Sequence, residues 1–486
     1  RSGSAAKQAS VLYPATLRRR LQANVAKYGW ARAVRDDIVR AAEPWKRMSD
    51  QDLWDLMFGN TLPRSVMVWS DGFCPCCRHS VPMFGWKVDA FAHPWKMQCP
   101  SCAALFPTND FKAYYDTGLD DHRVFQAGRA DRSLLFNAAH PDAGDPMHSF
   151  GVDDGTGYSD GTHRWRFIGA YLIYGQWKQL VIDGIKALAA AHVATGEAVY
   201  AHKTGILLDR VADLYPTFDF MKEAEVYEKP RSGNGYVTVW HDAVGESLDM
   251  VTAYDQVFDA LREDRDLIAF LSDRARRIGL TNPKRSFEEI HRNIEERILL
   301  DPLANLHKIR ANYPSTEIAV ITTLTVLDTP EGRRDAAVQT DSMLKLATAV
   351  DGVTGEKGLA GYTAGNLWGV ATFLQRFEDA KPGFLADIAA RHPRIHAMFR
   401  FHIDTWFRRK YYPLVGDTGH YGARYERYMG APFAISAPFY KPGPTMFGYQ
   451  TIMTNQGLAP SMFTFFMNLY RITGDVALIQ VMHHNN

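Results

Sequence analysis

Two cysteine turns carry the most specific chemistry in the chain. Cys74-Pro75-Cys76-Cys77 and Cys99-Pro100-Ser101-Cys102 hold all 5 cysteines of the 486 residues. Two Cys-Pro-x-Cys turns can aim four thiols at one point, the layout of a tetrahedral structural metal site. Cys74, Cys77, Cys99 and Cys102 are the expected ligands. Cys76 is the spare, because using it would leave a Cys-Cys turn of poor reach. Compact, soft thiolates that the metal keeps deprotonated suit Zn²⁺; a pair of disulfides is the alternative. Four protein ligands leave no open coordination position, so this metal is expected to hold structure. The stretch between the turns suits a small zinc-ribbon hairpin.

Three further segments break the helical pattern with polar residues. One runs from Asn305-Leu306-His307 through Arg310-Ala311-Asn312-Tyr313-Pro314-Ser315-Thr316-Glu317. Ser315 or Thr316 can cap the helix that follows, with Glu317 in its first turn, and Asn312 reads equally well as an ordinary helix-start residue. The second, Asp351 to Tyr362, is rich in glycine, which lets backbone approach a ligand closely; it also reads as a flexible loop with Tyr362 packed on the next helix. The third, Tyr411 to His420, is a polar turn in which Asp417 and His420 serve as turn or surface residues just as easily.

The elements that must position these segments are mostly helical. Residues 11–60 carry helical spacing from Ala15 to Arg40, and Ser49 caps a second helix with acids in its first turn. Residues 116–162, rich in Gly, Asp and His and without a period, predict a long ordered loop. From His163 onward the period is helical: Trp165 to Tyr174, Trp177 to Ala194, Ala198 to Leu214, then 241–262, 265–279, 286–299, 315–328, 333–349, 363–379, 384–391, 395–409 and 459–471. The turn Ala194-Thr-Gly-Glu-Ala198 recurs as Ile472-Thr-Gly-Asp-Val476, and Leu327-Asp-Thr-Pro-Glu331 takes a similar place. These are weak repeats of an αα-hairpin. The expected fold is mainly α, an incomplete (α/α) toroid of hairpins with a zinc-ribbon-like insertion. Its parts are N-terminal helices at 1–71, the ribbon at 72–115 and the toroid at 116–486.

Composition narrows the function. A formal net charge of +1 without a long Lys/Arg block predicts no nucleic-acid partner. A 46% hydrophobic chain of this length can bury a large core. No apolar run reaches the length of about 18 residues that a membrane span needs. The first residue is Arg1 and no signal peptide is visible, so a processed chain or a fragment is expected.

Taken in order, these features resemble the heparinase II/III-like polysaccharide lyases and their alginate-lyase relatives, over about residues 45–486. The features are the two Cys-Pro-x-Cys turns with Phe106-Pro-Thr-Asn-Asp-Phe111, the helical series with Ala212-Asp-Leu-Tyr-Pro216, the Asn312 segment, Gly355-Glu-x-Gly-x-x-Gly-Tyr362, and Pro413-Leu-Val-Gly-Asp417. The resemblance implies an α-helical toroid followed by a β-sandwich-like domain, and cleavage of an anionic, uronate-containing polysaccharide by β-elimination. It implies Tyr362 as the proton-transfer residue and Asn312 as the amide that neutralises the uronate carboxylate. Arg164, Trp165, Arg310, Tyr313, Glu356 and His420 are expected to line the substrate.

Two departures matter. Many relatives place His beside that Asn, whereas here the neighbour is Tyr313 and the nearest histidine is His307. Relatives also draw a catalytic His from the β-domain. This chain ends at Asn486 in helix-like sequence, so that His and its domain are expected to be missing. His241 is the substitute candidate, or a core or capping residue. Two other readings stand beside the lyase: a glycoside hydrolase recruiting Asp153, Asp154, Glu356 or Asp417 as paired acids, and a non-catalytic glycan-binding protein. A secreted or periplasmic location is expected for an enzyme of such polymers.

Overall fold

Helix starts and stops follow local side-chain chemistry. In the computed structural model, which describes residues 7–68, 71–81, 84–347, 362–409 and 460–484, Ser49 opens the Asp50–Trp54 helix as predicted. Its hydroxyl accepts the Asp52 amide at 3.1 Å while the Asp52 carboxylate accepts the Ser49 amide at 3.3 Å. This reciprocal cap satisfies two donors that a helix start otherwise leaves orphaned. Asp264 and Ser286 cap the Arg265–Arg277 and Phe287–Ile294 helices from one side.

The predicted hairpin turns also form, each closed by a left-handed residue. Gly196 (φ +76°) and Gly474 (φ +70°) each donate an amide to a carbonyl four residues back, at 2.7 Å. Asp328 takes the same conformation at φ +53°. These turns fold Asp183–Thr195 against Ala198–Leu214, Ser315–Leu327 against Pro330–Ala347, and Pro460–Thr473 against Val476–His484. The described residues are therefore mainly helical, with strands of two or three residues only. The helices Asp183–Thr195 and Ala198–Leu214 bury most of their side chains, the mark of helices inside a body and not on its skin.

Two expected boundaries move. The single helix at Ala15–Arg40 is two, Ala15–Lys27 and Gly29–Arg47, broken where Tyr28 turns extended. Arg32 stabilises the break by donating to the Val25 and Ala26 carbonyls at 3.4 and 2.9 Å, groups that a helix end leaves unsatisfied. In the other direction, the two helices expected at Trp165–Tyr174 and Trp177–Ala194 are one continuous helix from Phe167 to Thr195. Its middle, Leu172–Ile182, has the wider π spacing. Gly175 makes that spacing fit, since a Cβ there would stand 2.5 Å from the Tyr171 ring.

The chain divides into two compact units. Among the described residues, one contains those up to Asp37 and those from Ala311 onward; the other is Ile38–Arg310. The second carries the short sheets: Arg64–Ser65 pairs parallel with Ala224–Val226, which pairs antiparallel with Lys229–Pro230. Met97–Gln98 pairs antiparallel with Leu105–Phe106, and Tyr158–Ser159 with Arg164–Trp165.

The long loop is ordered by its own acids. Side chains of Asp120, Asp131, Asn137, Asp142, Asp145 and Asp160 each accept the amide two residues on, the Asx turn these residue types favour. Asp153, wholly buried, accepts the Gly155 and Gly157 amides at 2.7 and 2.9 Å and the Ile168 amide at 3.1 Å. Burial still lifts its carboxyl to about 6.

Candidate functional site

The two cysteine turns are built alike. In the first, the Cys74 amide donates to His79 O at 3.0 Å and the Arg78 amide to Cys74 O at 3.0 Å. In the second, the Cys99 amide donates to Ala104 O at 2.9 Å and the Ala103 amide to Cys99 O at 3.1 Å. The residue after the second cysteine is left-handed in both, Arg78 at φ +59° and Ala103 at φ +60°. Each turn thus curls around its own sulfurs, and backbone amides point at them; the Ser101 amide reaches Cys99 Sγ at 3.4 Å.

The two turns meet sulfur to sulfur. Cys74 Sγ lies 3.9 Å from Cys102 Sγ, and Cys77 Sγ 3.9 Å from Cys99 Sγ. All four lie within 4.8 Å of one another. A metal with thiolates at about 2.3 Å in a tetrahedron requires sulfurs about 3.8 Å apart. A disulfide requires about 2.05 Å, so the four cysteines are free thiols arranged as a metal cage. Cys76 is exposed and outside the cluster, as expected. Burial pushes the Cys74 thiol up. Burial acts the same way on Cys102, but the Ala104 amide and the neighbouring sulfurs outweigh it and bring that thiol to about 7.

Core contacts fix the cage to the helical body. The backbone of Lys87 pairs with Gln98 through two bonds of 2.9 Å, tying the first turn's segment to the second hairpin. Below it, Trp86 meets the ring of Phe167 at 5.3 Å, and Phe106 stacks on Phe167 at 4.7 Å. From the π-spaced segment, Gln179 donates to Val88 O at 3.0 Å and accepts the Ala90 amide at 2.9 Å. The Phe106–Phe111 motif has a structural role here. Asn109 exchanges two bonds of 3.0 Å with the Asp153 backbone, Thr108 donates to Phe150 O, and Asp110 caps the Phe111–Thr117 helix. The motif therefore staples the cage segment to the long loop.

The residues expected at the glycan site distribute as follows. Asn312 is half-exposed before the Ser315–Leu327 helix, and its side-chain amide has no hydrogen-bond partner among the described residues. Tyr362 is the first residue of the Tyr362–Ala380 helix; its side chain, all of Glu356 and His420, and Asp417 lie outside the described residues. Both helices belong to the same unit and pack together. A Cβ built at Gly369 would stand 3.6 Å from Pro314 Cγ and from Ile318 Cδ1, two turns from Tyr362.

Other candidates are differently placed. His307 and Arg310 are exposed at the end of the other unit. The Tyr313 hydroxyl is spent on Met343 O at 2.6 Å. Arg164 is exposed and donates to Thr156 O at 3.0 Å. Trp165 is a correction: it is wholly buried, donates to Phe73 O at 2.9 Å and stacks on Tyr158, so it serves the core and presents no face to a substrate. His241 is the second residue of the Trp240–Leu261 helix, and its side chain lies outside the described residues. Of the hydrolase acids, Asp153 is used up by the loop, and Asp154 accepts both the amide and the hydroxyl of Thr156.

Buried charge gathers elsewhere, where the sequence reading did not look. Lys284, 1% exposed, pairs with Asp209 and, at 2.6 Å, with Asp213, while Asn293 donates to both carboxylates at 2.9 and 3.0 Å. The sequence signal was two acids at i and i+4 after the apolar run Gly205–Leu208 of the helix Ala198–Leu214. On the neighbouring Trp240–Leu261 helix, burial lifts Glu246 to about 8. Its partner is the Thr238 hydroxyl. Among the described residues no helix is long and apolar enough to cross a membrane. No protein-family model matches the chain, and no curated protein matches it.

Proposed function

We propose that this chain is a polysaccharide lyase that cleaves an anionic, uronate-containing polymer by β-elimination and leaves an unsaturated uronate end. The observation that carries the proposal is the Asn312 amide, which has no hydrogen-bond partner among the described residues and precedes a helix that packs on the one Tyr362 begins. Removing the proton on C5 builds negative charge on the adjacent carboxylate. A fixed amide donor offsets that charge as it develops, which is worth more than the same contact to the resting substrate. Tyr362 passes a proton between C5 and the leaving glycosidic oxygen.

The helical hairpins are proposed to close into an (α/α) toroid that presents this cleft. The Cys74–Cys77–Cys99–Cys102 cage is proposed to hold Zn²⁺ in a small ribbon; that ion stiffens the segment and takes no part in elimination. A secreted or periplasmic location fits a polymer met outside the cytoplasm. The test is incubation with alginate, heparan, chondroitin and hyaluronan, following the ultraviolet band of the conjugated uronate. Chain shortening of one of these without that band would mean hydrolysis and end the proposal, as would no cleavage of any.

A further inference from the structure

A cavity lies inside the unit that carries the cysteine cluster. Its volume is about 390 Å³, within the range of sites that enclose a small molecule. Its walls come from the Asp50–Trp54 helix, the segment 90–95 that follows the first cysteine turn, the Phe111–Thr117 helix and the start of the Phe167–Thr195 helix.

The floor is aromatic and rigid. Trp95 packs between Tyr115 and Tyr171, with ring centroids 4.8 and 5.4 Å away. At the mouth, Phe91 leaves 40% of its surface open while its edge rests on Trp45 at 5.2 Å. The Asp89 carboxylate fixes this ring by accepting the Phe91 and Ala92 amides at 3.1 and 2.9 Å. A large apolar ring held still at a cavity mouth is a contact surface with little ordering cost on binding.

The rim is polar and balanced. Lys112 pairs with Asp116, and Arg123 with Asp55 at 3.1 Å, all four partly open to solvent. Asp52 and the buried Arg210 complete the ionic lining. Three acids thus face three bases, and the pocket has no net pull on an ion. Arg210 is 2% exposed and lies on the Trp54 ring at 3.9 Å; its guanidinium donates to His122 O at 3.4 Å and faces Asp213 at 3.9 Å, and its Nε has no hydrogen-bond partner among the described residues. A buried donor left without a partner is uncommon in a folded protein and marks a place for an acceptor.

We propose that this pocket binds an uncharged pyranose, as a non-catalytic site for a neutral sugar of the glycan. A pyranose has an apolar C–H face for the exposed Phe91 ring and a belt of hydroxyls, each both donor and acceptor, for alternating carboxylate and cationic groups. An acidic sugar would gain nothing net from a rim of zero charge, and a purely apolar ligand would leave the Arg210 Nε without an acceptor. The choice of a sugar over other amphipathic rings rests on the glycan-cleaving proposal; the pocket's geometry does not.

The test is ligand-observed saturation-transfer NMR on the full chain with methyl glucopyranoside, galactopyranoside and mannopyranoside, and methyl glucuronide as the acidic control. Transfer to the ring protons of at least one neutral glycoside, stronger than to the glucuronide, is expected. Phe91→Ala should weaken that binding at least about tenfold, the loss of one anchoring contact, and Asp116→Asn by several-fold. Thermal melts check that both variants fold; if Phe91→Ala does not, Asp116→Asn decides alone. No transfer from any neutral glycoside, preference for the glucuronide, or undiminished transfer in the folded variants overturns the inference. Elimination activity is read separately. Neutral-sugar binding without lyase activity leaves the pocket standing and removes the proposed reaction; activity that Phe91→Ala leaves intact, with no binding, does the reverse.

Discussion

Cys99 shows most directly how one atom can carry a structural role. Replacing its sulfur by oxygen in Cys99→Ser removes a soft ligand from a four-sulfur cage and leaves Cys77 without the partner it meets at 3.9 Å. Plasma-emission metal analysis is expected to find one zinc per wild-type chain and at least tenfold less in the variant, with segment 72–111 opened to protease. A chain free of metal when purified without chelator would sink the assignment. Tyr362→Phe keeps the ring and deletes the hydroxyl, so kcat on the best polymer should fall by at least about 10²-fold with a near-normal melt. Wild-type turnover in that variant would transfer the proton step to another group. At this scale the sequence was legible where spacing alone decides geometry, as with the four cysteines. It misled at Trp165, because a tryptophan beside an arginine has the same composition whether its ring faces a cleft or Phe73 and Tyr158.

Helices were legible where a short-range device sets their ends. Ser49 with Asp52, Gly196 and Gly474 each act within one turn, so the signal sits in a few adjacent residues. The break at Tyr28 and the π-spaced middle of Phe167–Thr195 were not legible, because each depends on a side chain elsewhere on the helix: Arg32 reaching back to two carbonyls, and Tyr171 filling the gap at Gly175. The ionic knot beneath the Ala198–Leu214 helix is longer in range still, since Lys284 and Asp209 are 75 residues apart. Lys284→Ala would leave two buried carboxylates facing each other. The expected cost is about 3–5 kcal/mol in urea unfolding, far above the loss of a surface pair. A cost under about 1 kcal/mol would mean that water reaches the knot.

Across the whole molecule, buried groups that hold protons set a pH dependence. Burial raises Asp153 to about 6, Asp183 to about 7 and Glu246 to about 8. His202 is raised too: burial opposes its charge, but Asp264 at 2.9 Å and Asp50 at 3.2 Å outweigh that. All four bind protons more tightly folded than unfolded, so their contribution is complete below the unfolded pKa of each. It is lost as pH climbs through the folded values. In the opposite sense, Asp160 is held at about 2 by the His163 and Thr162 amides and loses its contribution as pH falls through that value. On these groups stability should peak at about pH 3–4 and decline steadily toward about pH 9. Glu246→Gln should recover about 2 kcal/mol at the alkaline end and change little at the acidic end. Equal effects at both ends would show that Glu246 is ionised throughout.

The Asx-turned loop has a consequence for how the folded protein is detected. Many of its amides are tied to side-chain oxygens, and apart from one turn of 3-10 helix and one two-residue strand circular dichroism counts residues 120–163 as coil. Hydrogen exchange reads them differently. Amides such as those of Gly155, Gly157 and Ile168, bound to a buried Asp153 carboxylate, exchange only when that carboxylate lets go, on the timescale of local unfolding. A coil by spectroscopy and a core by exchange, this segment should resist trypsin at Arg132 and Arg164 near neutrality. It should become the first point of cleavage by pepsin once acid protonates its aspartates.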